Sequence, residues 1–124
     1  MVELLSGRLS IFPTSDTCVM DQQSLTFPDA GFDAAASIMG VSMFSDWRRG
    51  LAEQGRVLRL VGKAAVARWR TPPAGGPFVV MAQAMRAIFP NQPLPAPPEG
   101  FLLLAAPDRM TQAMRDVGLA DVIV

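Results

Sequence analysis

The longest amphipathic pattern in the chain lies between Asp29 and Gln54, and it limits the possible folds more than any other feature of the sequence. Its apolar side chains lie three or four residues apart, which is the spacing of one face of an α-helix. They are Phe32, Ala36, Met39, Met43, Trp47 and Leu51. With Asp29 as N-cap and Gly55 as C-terminal cap, the pattern predicts one helix over residues 29–54. Further apolar side chains widen this face, so we expect the helix to be covered on two sides or to contact another chain.

Shorter apolar segments on either side of this helix predict β-strands. Residues 2–12 alternate apolar and polar side chains and precede turn residues at 13–16, so together with 17–20 they predict an N-terminal hairpin. Further strands are predicted at 57–61, 101–106 and 121–124. Residues 63–70 fit either a strand or a helix, and their alternation favours a strand paired with 57–61.

Proline and glycine mark the boundaries of two more helices. Residues 71–76 are loop-forming, and Pro77 is suited to the first turn of a helix that ends at Pro90. Another helix is predicted over 107–117, with Gly118 as its C-cap. These elements predict one α/β or α+β domain over residues 1–124. It has a single-layer mixed sheet of about five strands, three helices packed on the sheet, the N-terminal hairpin and a Pro-rich loop at 90–100.

The residue types that are missing restrict the chemistry. The chain has no His, no Tyr and one Cys, which excludes Ser-His-Asp and Cys-His catalysis and His-bearing zinc sites. We therefore expect no metal and no cofactor, and the missing residue types make an enzyme the less favoured interpretation. Cys18 has no neighbouring Lys or Arg, so we interpret it as a small buried apolar residue.

The net charge of +0 conceals a strong division along the chain. Residues 1–46 contain one basic and six acidic side chains, whereas residues 47–70 contain seven basic side chains and only Glu53 as an acid. The basic segment has three interpretations. It pairs with the acidic first third, it docks an acidic protein or a second copy of the chain, or it binds nucleic acid. The neutral total disfavours nucleic acid. The candidate interaction residues are Trp47, Arg48, Arg49, Arg56, Arg59, Arg68, Trp69 and Arg70.

Three short motifs carry a resemblance to a known family. LTFPDAGF at 25–32, followed by the predicted helix and by GRVLRLVG at 55–62, resembles the middle of a STAS domain, the anti-sigma-factor antagonist fold. VGLADV at 117–122 is similar to the tail of that family. The resemblance implies a regulator that a partner kinase phosphorylates on a Ser just after the Asp. Ala30 occupies that position here, so the phosphorylation switch is not carried over.

No signal peptide is evident in residues 1–10, and the longest nearly uncharged stretch, 34–45, is too short to span a membrane. We expect a soluble, cytoplasmic protein that does not involve a membrane.

The function predicted from these features is a non-catalytic protein-interaction or regulatory module that forms oligomers. It would use the Arg/Trp-rich face and the apolar helix surface to contact a protein partner or another copy of itself. One alternative is the STAS-like regulator without the phosphorylatable Ser. A second is a small carboxylate-dependent enzyme or enzyme subunit using Asp21, Asp29 and Asp33. A third is a structural component of a larger assembly, in which the Pro-rich segment 90–100 embraces a neighbour.

Overall fold

A computed structural model describes residues 2–70 and 76–124. The loop predicted over 71–76 therefore falls, apart from Gly76, outside the described residues. The elements in chain order are α1 (Val2–Leu9), β1 (Phe32–Ile38), a 3₁₀ turn (Val41–Met43), α2 (Trp47–Arg56), β2 (Leu58–Ala67), α3 (Pro77–Ile88), α4 (Glu99–Leu103) and α5 (Pro107–Asp116).

The centre of the fold is a β-α-β unit. β1 and β2 pair in parallel, and α2 connects the carboxyl end of β1 to the amino end of β2. Two parallel strands need such a crossover because their connection must return to the starting edge of the sheet. The pairing continues just past β1, where the Met39 amide donates to the Ala67 carbonyl at 2.9 Å.

A bulge interrupts the pairing near the start of β2. Phe32 pairs with Leu58 and Ala34 pairs with Lys63, so β2 has three residues more than β1 in this interval. Val61 has a φ of +66° within the bulge. The next residue is glycine for a steric reason, because a Cβ on Gly62 would lie 2.8 Å from the Arg59 carbonyl oxygen.

The prediction of one helix over 29–54 is wrong. The residues form β1, the 3₁₀ turn and most of α2, and Met39 with a φ of +57° ends the strand. A separate helix begins after Asp46, whose Oδ1 accepts the Arg49 amide at 3.0 Å. The apolar stripe has helical spacing by coincidence. Its first part consists of alternating apolar residues of β1, and its last part is the apolar face of α2.

The prediction of a five-strand sheet with three helices is also wrong. Residues 2–70 and 76–124 contain one sheet of two strands, together with five α-helices. The predicted hairpin is replaced by α1 and an irregular segment, and residues 121–124 form no strand. Residues 57–61 and 63–70 do not pair with each other, since most of both belong to β2. The apolar run 101–106 begins as α4, since an apolar run alone cannot separate a short helix from a buried strand.

The predicted helices near 77–89 and 107–117 are confirmed as α3 and α5. Val117 is the C-cap of α5, and Gly118, which was predicted to be the cap, follows it with a left-handed φ of +90°. The Leu119 amide donates to the Met114 carbonyl at 3.2 Å, which closes the helix end.

The hydrophobic core lies between α2, the 3₁₀ turn and α5 rather than on both faces of a wide sheet. Its buried members are Val41, Trp47, Leu51, Leu104, Met110, Ala113 and Met114. Gly100 permits the close packing of α4 on α2, since a Cβ there would lie 2.9 Å from the Trp47 ring. The core therefore fixes the crossover helix and, through it, the carboxyl ends of the two strands.

The folded chain exposes much more surface than a compact monomer. Its accessible surface is 9045 Å², whereas a compact monomer of this mass exposes about 6,400 Å². None of the helices in the described part of the chain combines the length and the apolar character needed to cross a membrane.

Candidate functional site

The carboxyl ends of β1 and β2 are the place where this topology positions a site. In open α/β sheets, ligands bind outside the carboxyl ends of parallel strands, where the connecting loops diverge. Here those ends are Ile38 and Ala67, followed by Met39 and Arg68. The loop containing Gln22 also reaches this end, because its side chain contacts the last buried residue of β1.

A polar cluster forms where β1 ends. Ser37 is only 4% exposed, and its hydroxyl donates to Gln22 Oε1 at 3.3 Å and accepts the Val41 amide at 3.1 Å. Gly40 allows this approach, since a Cβ there would lie 3.0 Å from the Ser37 hydroxyl. The cluster is uncharged, and its hydrogen bonds tie the loop of Gln22 to the end of β1 and to the start of the 3₁₀ turn.

Backbone strain accompanies the cluster. Met39 has a φ of +57°, a conformation that non-glycine residues rarely adopt, and it lies directly between β1 and Gly40. Such strain persists only where surrounding contacts impose it, and it is concentrated at functional sites. The hydrogen bond from the Met39 amide to the Ala67 carbonyl holds this residue in place.

A cavity of about 260 Å³ lies next to the cluster, between the loop of Gln22, β1 and the end of α2. Gln54 of α2 lines it and is 3% exposed. The Gln54 amide nitrogen donates to the carbonyls of Ala35 at 3.1 Å and Ala65 at 3.3 Å, so one side chain ties α2 to both strands. Its Oε1 is buried and has no hydrogen-bond partner among the described residues.

Arg56 holds the loop that leads into β1. Its guanidinium donates to the carbonyls of Leu25 at 3.0 Å and Phe27 at 2.9 Å, and to the carboxylates of Asp29 and Glu53. Glu53 Oε2 also accepts the Leu25 amide at 2.7 Å. The Arg56 hydrogen bond is the main reason that the pKa of Glu53 falls from 4.5 to about 2. The same bonds raise the pKa of Arg56, so this pair is charged at all ordinary pH values.

The other predicted interaction residues are distributed over several contacts. Trp47 is buried, and its indole N–H donates to Glu99 at 2.9 Å. Arg48 is exposed, lies over the Trp47 ring at 4.2 Å and pairs with the same Glu99 oxygen at 2.8 Å. The hydrogen bond from Arg48, and after it the hydrogen bond from Trp47, lowers the pKa of Glu99. Arg59 pairs with Asp33 at 2.7 Å. Intramolecular ion pairs therefore occupy three of the six arginines in the predicted interaction set.

Arg68 and Trp69 follow the carboxyl end of β2, next to the candidate site. Arg68 is partly buried, and burial lowers the pKa of its guanidinium. Its Nη1 has no partner among the described residues, while Nη2 donates to the Trp69 carbonyl. Trp69 packs edge-on against Phe78 of α3 at 6.2 Å. Arg49 and Arg70 are exposed. The structure thus does not bring the eight residues into one face, and their role in an interaction stays a prediction.

The acidic residues considered for catalysis do not converge. Asp29 pairs with Arg56, Asp33 pairs with Arg59, and Asp21 accepts the Gln23 amide at 2.8 Å. Cys18 is exposed, so the prediction of a buried thiol is wrong. Within residues 2–70 and 76–124, no group of three or more His, Cys, Asp or Glu side chains is placed to hold a metal ion.

The sequence analysis missed Gln22, Ser37 and Gln54. A signal for Ser37 was present, because apolar residues at 32, 34, 36 and 38 alternate with Asp33 and Ser37 before Gly40. That alternation predicts a strand ending at Gly40 and thus a site at its carboxyl end. Gln22 and Gln54 depend on tertiary contacts that no local pattern encodes.

A broad groove of about 1520 Å³ lies on the other side of β2, against α5 and residues 117–124. Lys63, Arg68 and Arg70 line it together with Leu104 and apolar residues of α5. Its volume lies above the roughly 300–1,000 Å³ of small-molecule sites, and that of the cavity beside Gln54 lies below this range. The polar cluster and the strained backbone at Met39, rather than cavity size, make the end of β1 the candidate site.

Comparison with known proteins gives one relative of note. The chain is 32% identical over 108 residues to a demethylmenaquinone methyltransferase of Deinococcus radiodurans, an alignment that covers 79% of this chain. The chain spans 44% of the length of that relative. No family model matches the chain.

This finding overturns the predicted function. The relative is named as an enzyme, so the prediction of a non-catalytic interaction or regulatory module is wrong. The STAS-like alternative is wrong as well, because residues after the motif at 25–32 form β1 instead of a long helix. The lack of histidine made an enzyme the less favoured interpretation, although a carboxylate-dependent enzyme was kept as an alternative.

Proposed function

We propose that this chain serves in a methyltransferase-like enzyme whose methyl acceptor is a demethylated naphthoquinone in its reduced, hydroquinone form. The observation that carries the proposal is the 32% identity over 108 residues to a demethylmenaquinone methyltransferase. The β-α-β unit and the polar cluster at its carboxyl ends support it, because the carboxyl ends of parallel strands are where α/β sheets bind ligands.

The chemistry fits a chain without histidine. A sulfonium methyl donor would supply the methyl group and retain the electrons of the broken bond as a neutral thioether, and the methylated ring would release one proton to solvent as the product leaves the site. The protein's contribution is to place donor and acceptor together and to exclude water. Hydrogen-bonding groups such as Gln22 and Ser37, and the rigid backbone at Met39, are suited to this positioning.

The test is a transfer assay with the full chain. We would incubate it with S-adenosylmethionine carrying a deuterated methyl group and a short-chain demethylated naphthohydroquinone. Mass spectrometry of the quinone is expected to detect one added deuterated methyl group. Turnover is expected to fall about tenfold or more in Gln22→Ala, because a misplaced donor loses much of the benefit of proximity.

Gln112→Ala is the matched control. Gln112 is exposed on α5 and bonds only to Asp116 among the described residues, so this variant should keep its turnover. Labelled methyl on the quinone that depends on Gln22 and not on Gln112 supports the proposal. Undetectable transfer by the folded chain, or equal turnover in both variants, contradicts it.

A further inference from the structure

α3 is an apolar helix that the other residues described by the structure leave largely uncovered beyond its first turn. Of its twelve residues only Gln83 and Arg86 are polar, and none of the twelve is buried. Val80 and Ile88 are 66% and 67% exposed, and Met81 is 57% exposed. A helix that is apolar on nearly all sides is normally found in a core or in contact with lipid, and large exposed apolar patches mark interaction surfaces.

The first turn of α3 fixes its position relative to the candidate site. Phe78 packs edge-on between Trp69 at 6.2 Å and Phe101 of α4 at 5.8 Å. Gly76 lies so close to the Trp69 ring that a Cβ there would approach it to 2.4 Å. The helix therefore extends from the carboxyl end of β2, which is the edge of the sheet where the candidate site lies.

The charge around α3 indicates the kind of surface that covers it. The basic side chains that flank α3 or belong to it are Arg68, Arg70 and Arg86, and residues 64–98 contain no acidic side chain. An apolar helix in a segment with only positive charge complements a surface that has an apolar interior and anionic headgroups.

We propose that α3 lies in the interface of an anionic lipid bilayer. The twelve residues are about 18 Å long, which is too short to cross a hydrocarbon core of about 30 Å, so the helix lies along the surface. The inference rests on the proposed function in one respect, because a naphthoquinone with a polyprenyl tail is dissolved in the membrane. It departs from the sequence-based expectation that no membrane is involved.

Binding to vesicles tests this proposal without donor or quinone. We would measure co-sedimentation of the full chain with vesicles of phosphatidylcholine mixed with phosphatidylglycerol, and with vesicles of phosphatidylcholine alone. Binding is expected to the mixed vesicles, and it should weaken on them as salt is added. Ile88→Glu should reduce the partition constant about tenfold, because an Ile side chain that inserts into the bilayer interface is replaced by a charge.

Ile11→Glu is the control, since Ile11 is 77% exposed outside α3 and undergoes the same change. Circular dichroism would check that both variants fold. Equal binding of the two variants, or no binding by the wild-type chain, overturns the proposal. So does a concentration-dependent dimer that Ile88→Glu dissociates while vesicles remain unbound, which would make a second copy the occupant. Methyl transfer to a short-chain quinone without vesicle binding would reject this inference and leave the proposed function intact.

Discussion

At the scale of single residues, Val61 is the clearest departure from ordinary geometry. Its φ of +66° is unfavourable for a β-branched side chain, and 93% of the residue is exposed. The side chain therefore gains almost nothing from packing that would offset the strain. Gly62 is a local signal for such a bulge, but residues 57–61 and 63–70 were predicted as two separate strands that pair with each other.

Val61→Gly is expected to stabilise the fold by about 0.5–1 kcal/mol. Relief of the left-handed strain, about 1–2 kcal/mol, is offset in part by the greater freedom of glycine in the unfolded chain. Urea denaturation checks this. Val19→Gly is the control, because Val19 is 85% exposed and does not have a positive φ, so its replacement should not stabilise. Destabilisation by Val61→Gly would show that the bulge is not strained.

Glu53 makes stability depend on pH. Its pKa is about 2 in the folded chain against an ordinary 4.5, so its contribution is complete above pH 4.5 and disappears as the pH falls towards 2. Glu53→Gln should therefore cost about 1–3 kcal/mol at pH 7, because Arg56 loses a charged partner. The difference from wild type should shrink below pH 4.5.

Urea midpoints measured at several pH values test this prediction. Glu3→Gln, at an exposed position on α1, should have little effect throughout. A stability difference between Glu53→Gln and wild type that is the same at pH 7 and pH 2 would contradict the assigned role of the carboxylate.

At the scale of elements, the sequence predicted those parts whose boundaries are marked by local chemistry. α3 and α5 begin at prolines, and α5 ends at Gly118 in a left-handed conformation. The prediction of a helix over 29–54 was wrong because two short apolar patterns, one in β1 and one in α2, joined into one apparent stripe. The end of β1 is set by the pairing of Met39 with Ala67, a contact between residues far apart in sequence.

Gln54 connects α2 to both strands, and its replacement tests that connection. Gln54→Glu should destabilise the fold by about 3 kcal/mol or more at pH 7, because a buried carboxylate would face the carbonyls of Ala35 and Ala65. Stability should recover at low pH, where the carboxyl group is protonated.

Thermal and urea denaturation at neutral and acidic pH provide the measurement. Gln83→Glu is the matched control, since Gln83 is exposed on α3 and a charge there remains in water. A loss that is equal in the two variants would mean that the contacts of Gln54 with the strands do not contribute.

At the scale of the whole molecule, composition limits which residue types can carry chemistry, but it did not predict the function. The lack of His and Tyr excludes the usual acid–base groups. It does not exclude group transfer, in which the donor supplies the reactive group and the protein supplies position. The division of charge did appear in the structure, since Asp29 and Asp33 from the acidic third pair with Arg56 and Arg59.

The central claim is that ligands bind at the carboxyl end of β1, and nuclear magnetic resonance tests it most directly. The amides of the ¹⁵N-labelled chain would be followed while S-adenosylmethionine is added. Binding at this end predicts saturable shifts at Gln22, Ser37, Met39 and Gly40, with no shift at Gln112 or at the other exposed positions of α5. Shifts confined to the groove between β2 and α5, or no shifts at saturating donor, would contradict it.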